Sequence, residues 1–87
     1  RAPGGGGAFG VQIGSFRERS HAVEAWPAKQ REYGGLLQGL TPAVVETTVP
    51  GKGRWFRLYA AGLGRDAADR LCGAIKQRGD FCAIATL

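Results

Sequence analysis

Eighty-seven residues, of which 44% are hydrophobic and 22% charged, suit one small globular domain and exclude a nucleotide-binding domain joined to a substrate domain. No apolar run approaches the ~20 residues that a transmembrane helix needs. Twelve Lys and Arg residues against seven Asp and Glu give a net charge of +5, and this Arg-rich balance favours ligands that carry carboxylates or phosphates.

The first seven residues contain Pro3 and four consecutive glycines, a composition typical of a flexible linker. We therefore predict a linker over residues 1–7 and a folded domain over residues 8–87. The chain has no Met and starts at Arg1, so we expect it to be a segment of a longer protein, with any signal peptide or anchor upstream.

Apolar residues alternate with other residue types over residues 9–13, which predicts a first strand with one buried face. Gln12 lies on the opposite face and points away from the core. The next two residues, Gly14 and Ser15, are predicted to end this strand.

A first helix is predicted after this strand, with Ser20 as its N-cap. Apolar residues at helical spacing continue to Tyr33, and the pair Gly34 and Gly35 stops the helix. Pro27 conflicts with this pattern, because a proline inside a helix lacks a hydrogen-bond donor and clashes with the preceding turn. We expect a kink or a break there.

A β-hairpin is predicted over residues 42–61, since a segment rich in Val and Thr is followed by a Pro- and Gly-containing turn and a second run of alternating residues. In the second strand of this hairpin, Trp55, Arg57 and Tyr59 share one face. The apolar residues between them share the other face. A sheet that is covered on one side only cannot bury both sets.

A second, amphipathic helix is predicted with Asp66 as its N-cap and Gly79 as its left-handed stop. Cys72 lies on the apolar side of this helix, and a short fourth strand over residues 81–85 contains Cys82. The two cysteines are close enough in this arrangement to form a disulfide, which would suit an oxidising compartment. The alternative is a reduced pair of small buried side chains.

The resulting order, β-α-β followed by β-α-β, predicts an α+β fold of the ferredoxin or RNA-recognition type. Its four-stranded antiparallel sheet carries two helices on one face and leaves the other face open. With Gln12, Trp55, Arg57 and Tyr59, the open face combines an amide, a cation and aromatic rings, which suits a flat or extended ligand. The alternative is an ordinary solvent-exposed strand.

Few side chains in this sequence suit catalysis. His21 is the only histidine, and no nucleophile or converging pair of carboxylates accompanies it. We therefore expect no enzyme activity, no metal site and no cofactor. Lys52 and Gly53 begin like the longer motif of RNA-recognition domains, but Arg54 stands where that motif has a stacking aromatic, so we expect no nucleic-acid partner.

Three motifs resemble the SPOR domain, the sporulation-related repeat, over residues 8–86. The sequence contains Phe9-Gly-Val-Gln-Ile-Gly-Ser-Phe16, Gly53-x-Trp-Phe-Arg57 and Lys76-Gln-Arg-Gly-x-x-Cys82. SPOR domains are bacterial cell-envelope modules that bind peptidoglycan and prefer denuded glycan strands, from which amidases have removed the stem peptides. The resemblance implies a non-catalytic domain that targets a parent protein to the septum or other sites of wall remodelling, in the periplasm or cell envelope.

Matched to the family by motif, Gln12, Ser15, Trp55 and Arg57 are candidate glycan contacts. Tyr59 is added because it shares a strand face with Trp55 and Arg57. The partner implied is the glycan strand of alternating N-acetylglucosamine and N-acetylmuramic acid, bound by a monomeric domain that does not insert into the membrane. The alternative is a protein–protein interaction module that uses the same sheet face.

Overall fold

A computed structural model of the chain describes residues 7–87, so residues 1–6 of the predicted linker lie outside the described residues. In chain order the elements are β1 (Phe9–Phe16), α1 (Arg19–Tyr33), a 3-10 helix (Gly34–Leu37), β2 (Thr41–Val49), β3 (Gly53–Leu63), α2 (Arg65–Gln77) and β4 (Ala83–Thr86). The strands form one antiparallel sheet in the order β2-β3-β1-β4. This architecture confirms the predicted α+β fold and its order of elements. No helix within residues 7–87 is long and apolar enough to cross a bilayer.

The core lies between the two helices and one face of the sheet. Val11, Leu58 and Ala60 of the central strands have no solvent exposure, and they share a hydrophobic cluster with Trp26 of α1 and Ile75 of α2. Burying an apolar side chain of this size contributes about 1.5–3 kcal/mol to folding. The opposite face of the sheet, which carries the side chains that alternate with these, is called the open face below.

A β-bulge at Ile13 interrupts the regular alternation of β1. Gln12 pairs with Tyr59 and Gly14 pairs with Leu58, which directly precedes Tyr59, so Ile13 has no partner of its own in β3. Two residues of β1 therefore oppose one position of β3, and the side chains that follow the bulge change faces relative to a regular strand.

Beyond the bulge, Ser15 lies on the open face opposite Arg57, and Phe16 lies on the core face opposite Phe56. Phe16 is partly buried and packs against the core. The prediction that Gly14 and Ser15 end the strand is therefore wrong. The bulge lets β1 continue past them while keeping apolar side chains on the buried side.

β3 extends beyond its predicted end at residue 61 and continues through Gly62 to Leu63. Gly62 has a φ of 97°, and the pairs on either side of it are Phe9 with Leu63 and Gly10 with Ala61, so it occupies a second bulge. A residue without a Cβ adopts this left-handed conformation at little cost. Pairing with β1 resumes at Leu63.

α1 runs through Pro27 without the predicted break. A proline cannot donate to the carbonyl four residues earlier, which here belongs to Val23. Both residues are exposed, and Val23 is 56% exposed, so water can bond the carbonyl that the proline leaves free. The helix ends at Tyr33 as predicted.

Neither helix begins at its predicted N-cap. The N-cap of α1 is Glu18 instead of Ser20, and that of α2 is Gly64 instead of Asp66. The Glu18 side chain does not bond the backbone of α1, and Gly64 has no side chain that could cap α2. Asp66 lies within the first turn of α2, where its carboxylate still interacts favourably with the helix dipole.

α2 ends in a Schellman motif that confirms Gly79 as its stop. Gly79 has a φ of 85° and donates to the carbonyl of Lys76 at 2.9 Å, while Asp80 donates to the carbonyl of Ile75 at 3.3 Å. These two bonds fix the direction in which the chain leaves the helix, and so they position Asp80 and the residue after it.

The predicted disulfide between Cys72 and Cys82 is present, and both cysteines are buried. It ties the middle of α2 to the residue directly before β4. β4 starts later than predicted, so Phe81 lies outside the strand and is 70% exposed. The Schellman motif and the disulfide thus hold both ends of the short connection that carries Asp80 and Phe81.

Reduction of the disulfide is expected to destabilise the domain, since the chain-entropy account gives a loop of this length about 2–3 kcal/mol. For a domain of this size that corresponds to a fall in Tm of about 10–20 °C. Thermal melts with and without reductant measure it. The double variant Cys72→Ala/Cys82→Ala should melt at the lower temperature in both conditions, and identical wild-type melts would contradict the prediction.

Substitution of Gly14 tests the packing at the bulge. A Cβ at Gly14 would approach Cε1 of Phe16 to 2.7 Å, so Gly14→Ala must displace a ring that packs on the core. We expect the free energy of unfolding, measured in urea, to fall by about 1–3 kcal/mol. Gly73→Ala in α2 is the control, because its added Cβ meets open space and Ala is the better helix former, so its stability should stay level or rise by about 1 kcal/mol. A Gly14→Ala variant as stable as wild type would show that Phe16 moves freely.

Candidate functional site

The open face brings together all five side chains that the sequence singled out. Trp55, Arg57 and Tyr59 follow one another along β3, and Gln12 and Ser15 lie on the adjacent β1. Arg57 is directly opposite Ser15, and Tyr59 is directly opposite Gln12. The bulge in β1 is what turns Ser15 toward this group. Their role in binding remains a prediction.

Short side chains surround this group on both flanking strands. β2 places Ala43, Val45 and Thr47 opposite the three residues of β3. On the other side, β4 places Ala83 opposite Gln12. The long side chains of the central strands therefore stand beside shorter neighbours, which leaves a shallow surface for an extended ligand.

Arg17 belongs to the open face although the sequence did not indicate it. Its guanidinium carbon lies 4.6 Å from the centroid of the Trp55 ring, and its Nη1 donates to the backbone oxygen of Lys52 at 2.7 Å. Such stacking is worth about 0.5–1 kcal/mol at an exposed site. Regular alternation from Gln12 would turn Arg17 toward the helices, so only knowledge of the bulge could have revealed it.

The two arginines of the open face have no acidic partner in the described part of the chain. Among the ion pairs of residues 7–87, none includes Arg17 or Arg57. Glu46 of β2 lies on the core side and pairs with Arg54 at 3.4 Å and Arg19 at 3.9 Å. The two arginines of the open face therefore remain available to an anionic ligand.

Tyr59 lies on the open face but is only 6% exposed. Leu87 packs across Gly10 next to it: a Cβ at Gly10 would lie 3.2 Å from Cγ of Leu87 and 3.3 Å from Cβ of Tyr59. The alternation of β3 correctly predicts the face of Tyr59, but it carries no information on how far neighbours cover the ring. Little of this side chain is accessible to a ligand.

Next to β1, the open face adjoins a second cluster built around Tyr33. The Tyr33 hydroxyl donates to Oδ2 of Asp80 at 2.9 Å, and the guanidinium of Arg78 lies 5.3 Å from its ring centroid. Burial is the main cause that raises the pKa of Tyr33 to about 12, and the hydrogen bond with Asp80 raises it further. The phenol thus stays protonated at neutral pH and holds the carboxylate of Asp80 in place.

Within residues 7–87, no three His, Cys, Asp or Glu side chains come together in a way that could hold a metal ion. What the open face offers is binding chemistry: hydrogen bonds from an amide and a hydroxyl, two cations, and an indole ring. Such groups can hold and orient a ligand through hydrogen bonds, charge and apolar contact.

A family model described as the SPOR domain matches residues 5–86. The chain belongs to the SPOR domain family. SPOR domains bind peptidoglycan and target proteins to the septum of bacteria, and the family is one of binding domains and not of enzymes. Two of the three motifs that resemble the family lie in the strands that form the open face. They are residues 9–16, which are β1, and residues 53–57, which begin β3. No significant match was found among curated proteins or solved structures.

The raised pKa of Tyr33 predicts a loss of stability at high pH. The folded-state pKa of about 12 exceeds the ordinary value of 10.0, so the contribution of the neutral phenol is complete below pH 10 and is lost as the pH rises through 12. An ultraviolet titration should show one tyrosinate forming near pH 12, and Tyr33→Phe should remove that transition. If the transition that is lost in Tyr33→Phe lies near pH 10 instead of pH 12, the prediction is wrong.

Proposed function

We propose that the open face binds peptidoglycan glycan strands that lack stem peptides, and thereby targets a parent envelope protein to the septum or to other sites of wall remodelling. The observation that carries this proposal is the combination of Trp55 with two arginines free of ion pairs, Arg17 and Arg57, on the exposed face of the sheet. The role is one of binding, without catalysis.

The arginines supply recognition of charge. Removal of the stem peptide leaves a free lactyl carboxylate on each N-acetylmuramic acid, so a denuded strand is a regularly spaced polyanion. A guanidinium binds a carboxylate through two parallel hydrogen bonds. Arg57 is the central candidate, because it lies in the middle strand pair opposite Ser15 and is only partly exposed.

Trp55, Gln12 and Ser15 supply recognition of the sugar. The C–H face of a pyranose ring packs well on an indole, and amide and hydroxyl groups bond sugar hydroxyls and N-acetyl groups. Tyr59, at 6% exposure, lies beside Gln12 across the strand pair and offers only a small part of its ring to the ligand. Together these side chains form one continuous surface across β3 and β1.

The preference for denuded strands follows from charge and shape. An intact stem peptide converts the lactyl carboxylate into an amide, which removes the charge that Arg57 would pair with. The peptide is also bulky, and it would lie close to the sheet, because it is attached to the lactyl group that Arg57 would bind. Both effects weaken binding of intact peptidoglycan.

The disulfide favours an oxidising location such as the periplasm or the outer surface of the cell envelope. Residues 8–87 would act there as one monomeric binding domain, joined through residues 1–7 to the rest of the parent protein. Such an arrangement lets the binding domain concentrate a separate activity at its target.

A pull-down on insoluble sacculi, with and without amidase treatment, tests the proposal. Wild type should bind treated sacculi more strongly. Trp55→Ala, Gln12→Ala and Arg57→Gln should each weaken binding, with about a tenfold loss for Arg57→Gln because a charge-assisted hydrogen bond is removed.

Arg70→Gln is the matched control, since Arg70 is an exposed arginine on α2, away from the open face. It should bind like wild type if the location of the charge matters. Wild type that stays in the supernatant with both kinds of sacculi, or equal losses for Arg57→Gln and Arg70→Gln, would refute the proposal. Circular dichroism confirms that each variant is folded.

A further inference from the structure

A cavity of about 340 Å³ lies beside β1, at the edge of the open face. It exists because β4 pairs only with residues 9–12, so the later part of β1 has no neighbouring strand on that side. α1 and the connection between α2 and β4 close the gap. The cavity is lined by Gln12, Ile13, Gly14, Ser15, Lys29, Tyr33, Asp80 and Phe81. Its volume is at the small end of the range for ligand pockets, about 300–1,000 Å³.

Two features of its wall suit a sugar. Asp80 is held by the Tyr33 hydroxyl and makes no ion pair with any described residue, so its carboxylate can accept hydrogen bonds from hydroxyl or amide groups. Phe81 is 70% exposed and lies directly beside it, which provides an aromatic plane for C–H groups. An exposed aromatic next to a fixed carboxylate is a pairing that hydrophobic packing of the core does not explain.

The cavity differs in charge from the rest of the open face. Its lysine, Lys29, pairs with Glu32 at 3.5 Å, so the carboxylate of Asp80 leaves the cavity without excess positive charge. Arg57 lies directly opposite Ser15, which lines the cavity, so the two sites are neighbours across one strand spacing of about 5 Å. A ligand that crosses the strands from one to the other thus passes from the unpaired cation of Arg57 to a cavity in which the charges of Lys29 and Asp80 balance.

Given the glycan binding proposed above, we propose that this cavity is a second subsite, which takes a carboxylate-free N-acetylglucosamine unit of the strand whose N-acetylmuramic acid is held by Arg57. A lactyl carboxylate beside Asp80 would be repelled, whereas at Arg57 it is attracted. In a strand where the two sugars alternate, this difference fixes the register in which the polymer lies on the domain.

The proposal is tested with a denuded tetrasaccharide of alternating sugars and with chitobiose, which contains only N-acetylglucosamine. Backbone amide shifts in the NMR spectrum should move at Arg57 and at both Asp80 and Phe81 with the tetrasaccharide. With chitobiose at high concentration, the shifts at Asp80 and Phe81 should exceed those at Arg57.

Affinities for the tetrasaccharide complete the test. Phe81→Ala and Asp80→Asn should each weaken binding by about three- to tenfold, through lost stacking and lost charge-assisted hydrogen bonds. The controls Val23→Ala, an exposed apolar residue of α1, and Asp69→Asn, an exposed acid of α2, should stay within about twofold of wild type. Asparagine still accepts the Tyr33 hydrogen bond, and Phe81 is too exposed to support the fold.

The possible failures are distinguishable. If wild type binds the tetrasaccharide with shifts at Arg57, but both variants bind like wild type and the amides of Asp80 and Phe81 do not move, the second subsite is wrong and the proposed function stands. If wild type binds neither sugar, glycan recognition by the open face is itself wrong, and the second subsite fails with it.

Discussion

The bulge at Ile13 determines which side chains of β1 reach the exposed side of the sheet. In a regular strand, Ser15 and Arg17 would point toward the helices and Phe16 would point to solvent. One unpaired residue reverses this arrangement. Core packing and ligand access are therefore set by the same backbone feature: the ring of Phe16 completes the buried side because Ser15 and Arg17 do not occupy it. Gly14 contributes by leaving space for that ring.

The arginines near the sheet differ in their partners from one face to the other. Glu46 pairs with both Arg19 and Arg54 on the side of the helices, whereas Arg17 and Arg57 face outward without an acidic partner in the described chain. A net charge of +5 spread evenly would attract anions to every surface. On the open face, two unpaired guanidinium groups lie beside the indole of Trp55, so an anionic polymer finds both positive charge and an aromatic surface there.

The sequence predicted the architecture well, because alternation and helical spacing report directly on burial. It placed Trp55, Arg57 and Tyr59 on one face and foresaw the pairing of the two cysteines. The sequence did not predict features that depend on tertiary contacts. No local pattern indicates the bulge that turns Arg17 to the open face, or the neighbouring side chains that cover Tyr59. The continuity of α1 through Pro27 likewise depends on which side of the helix meets water.

β2 is a nine-residue strand at the edge of the sheet, with one side of its backbone unpaired. An unpaired edge of this kind can form hydrogen bonds with a strand of another molecule. A repetitive wall polymer that binds many copies of this domain would bring such edges close together. Pro42 interrupts the row of donors, and the charged Glu46 resists close approach of a second strand. Pro42 and Glu46 would therefore prevent neighbouring domains on one polymer from pairing through their β2 strands. Each domain could then dissociate from the polymer independently.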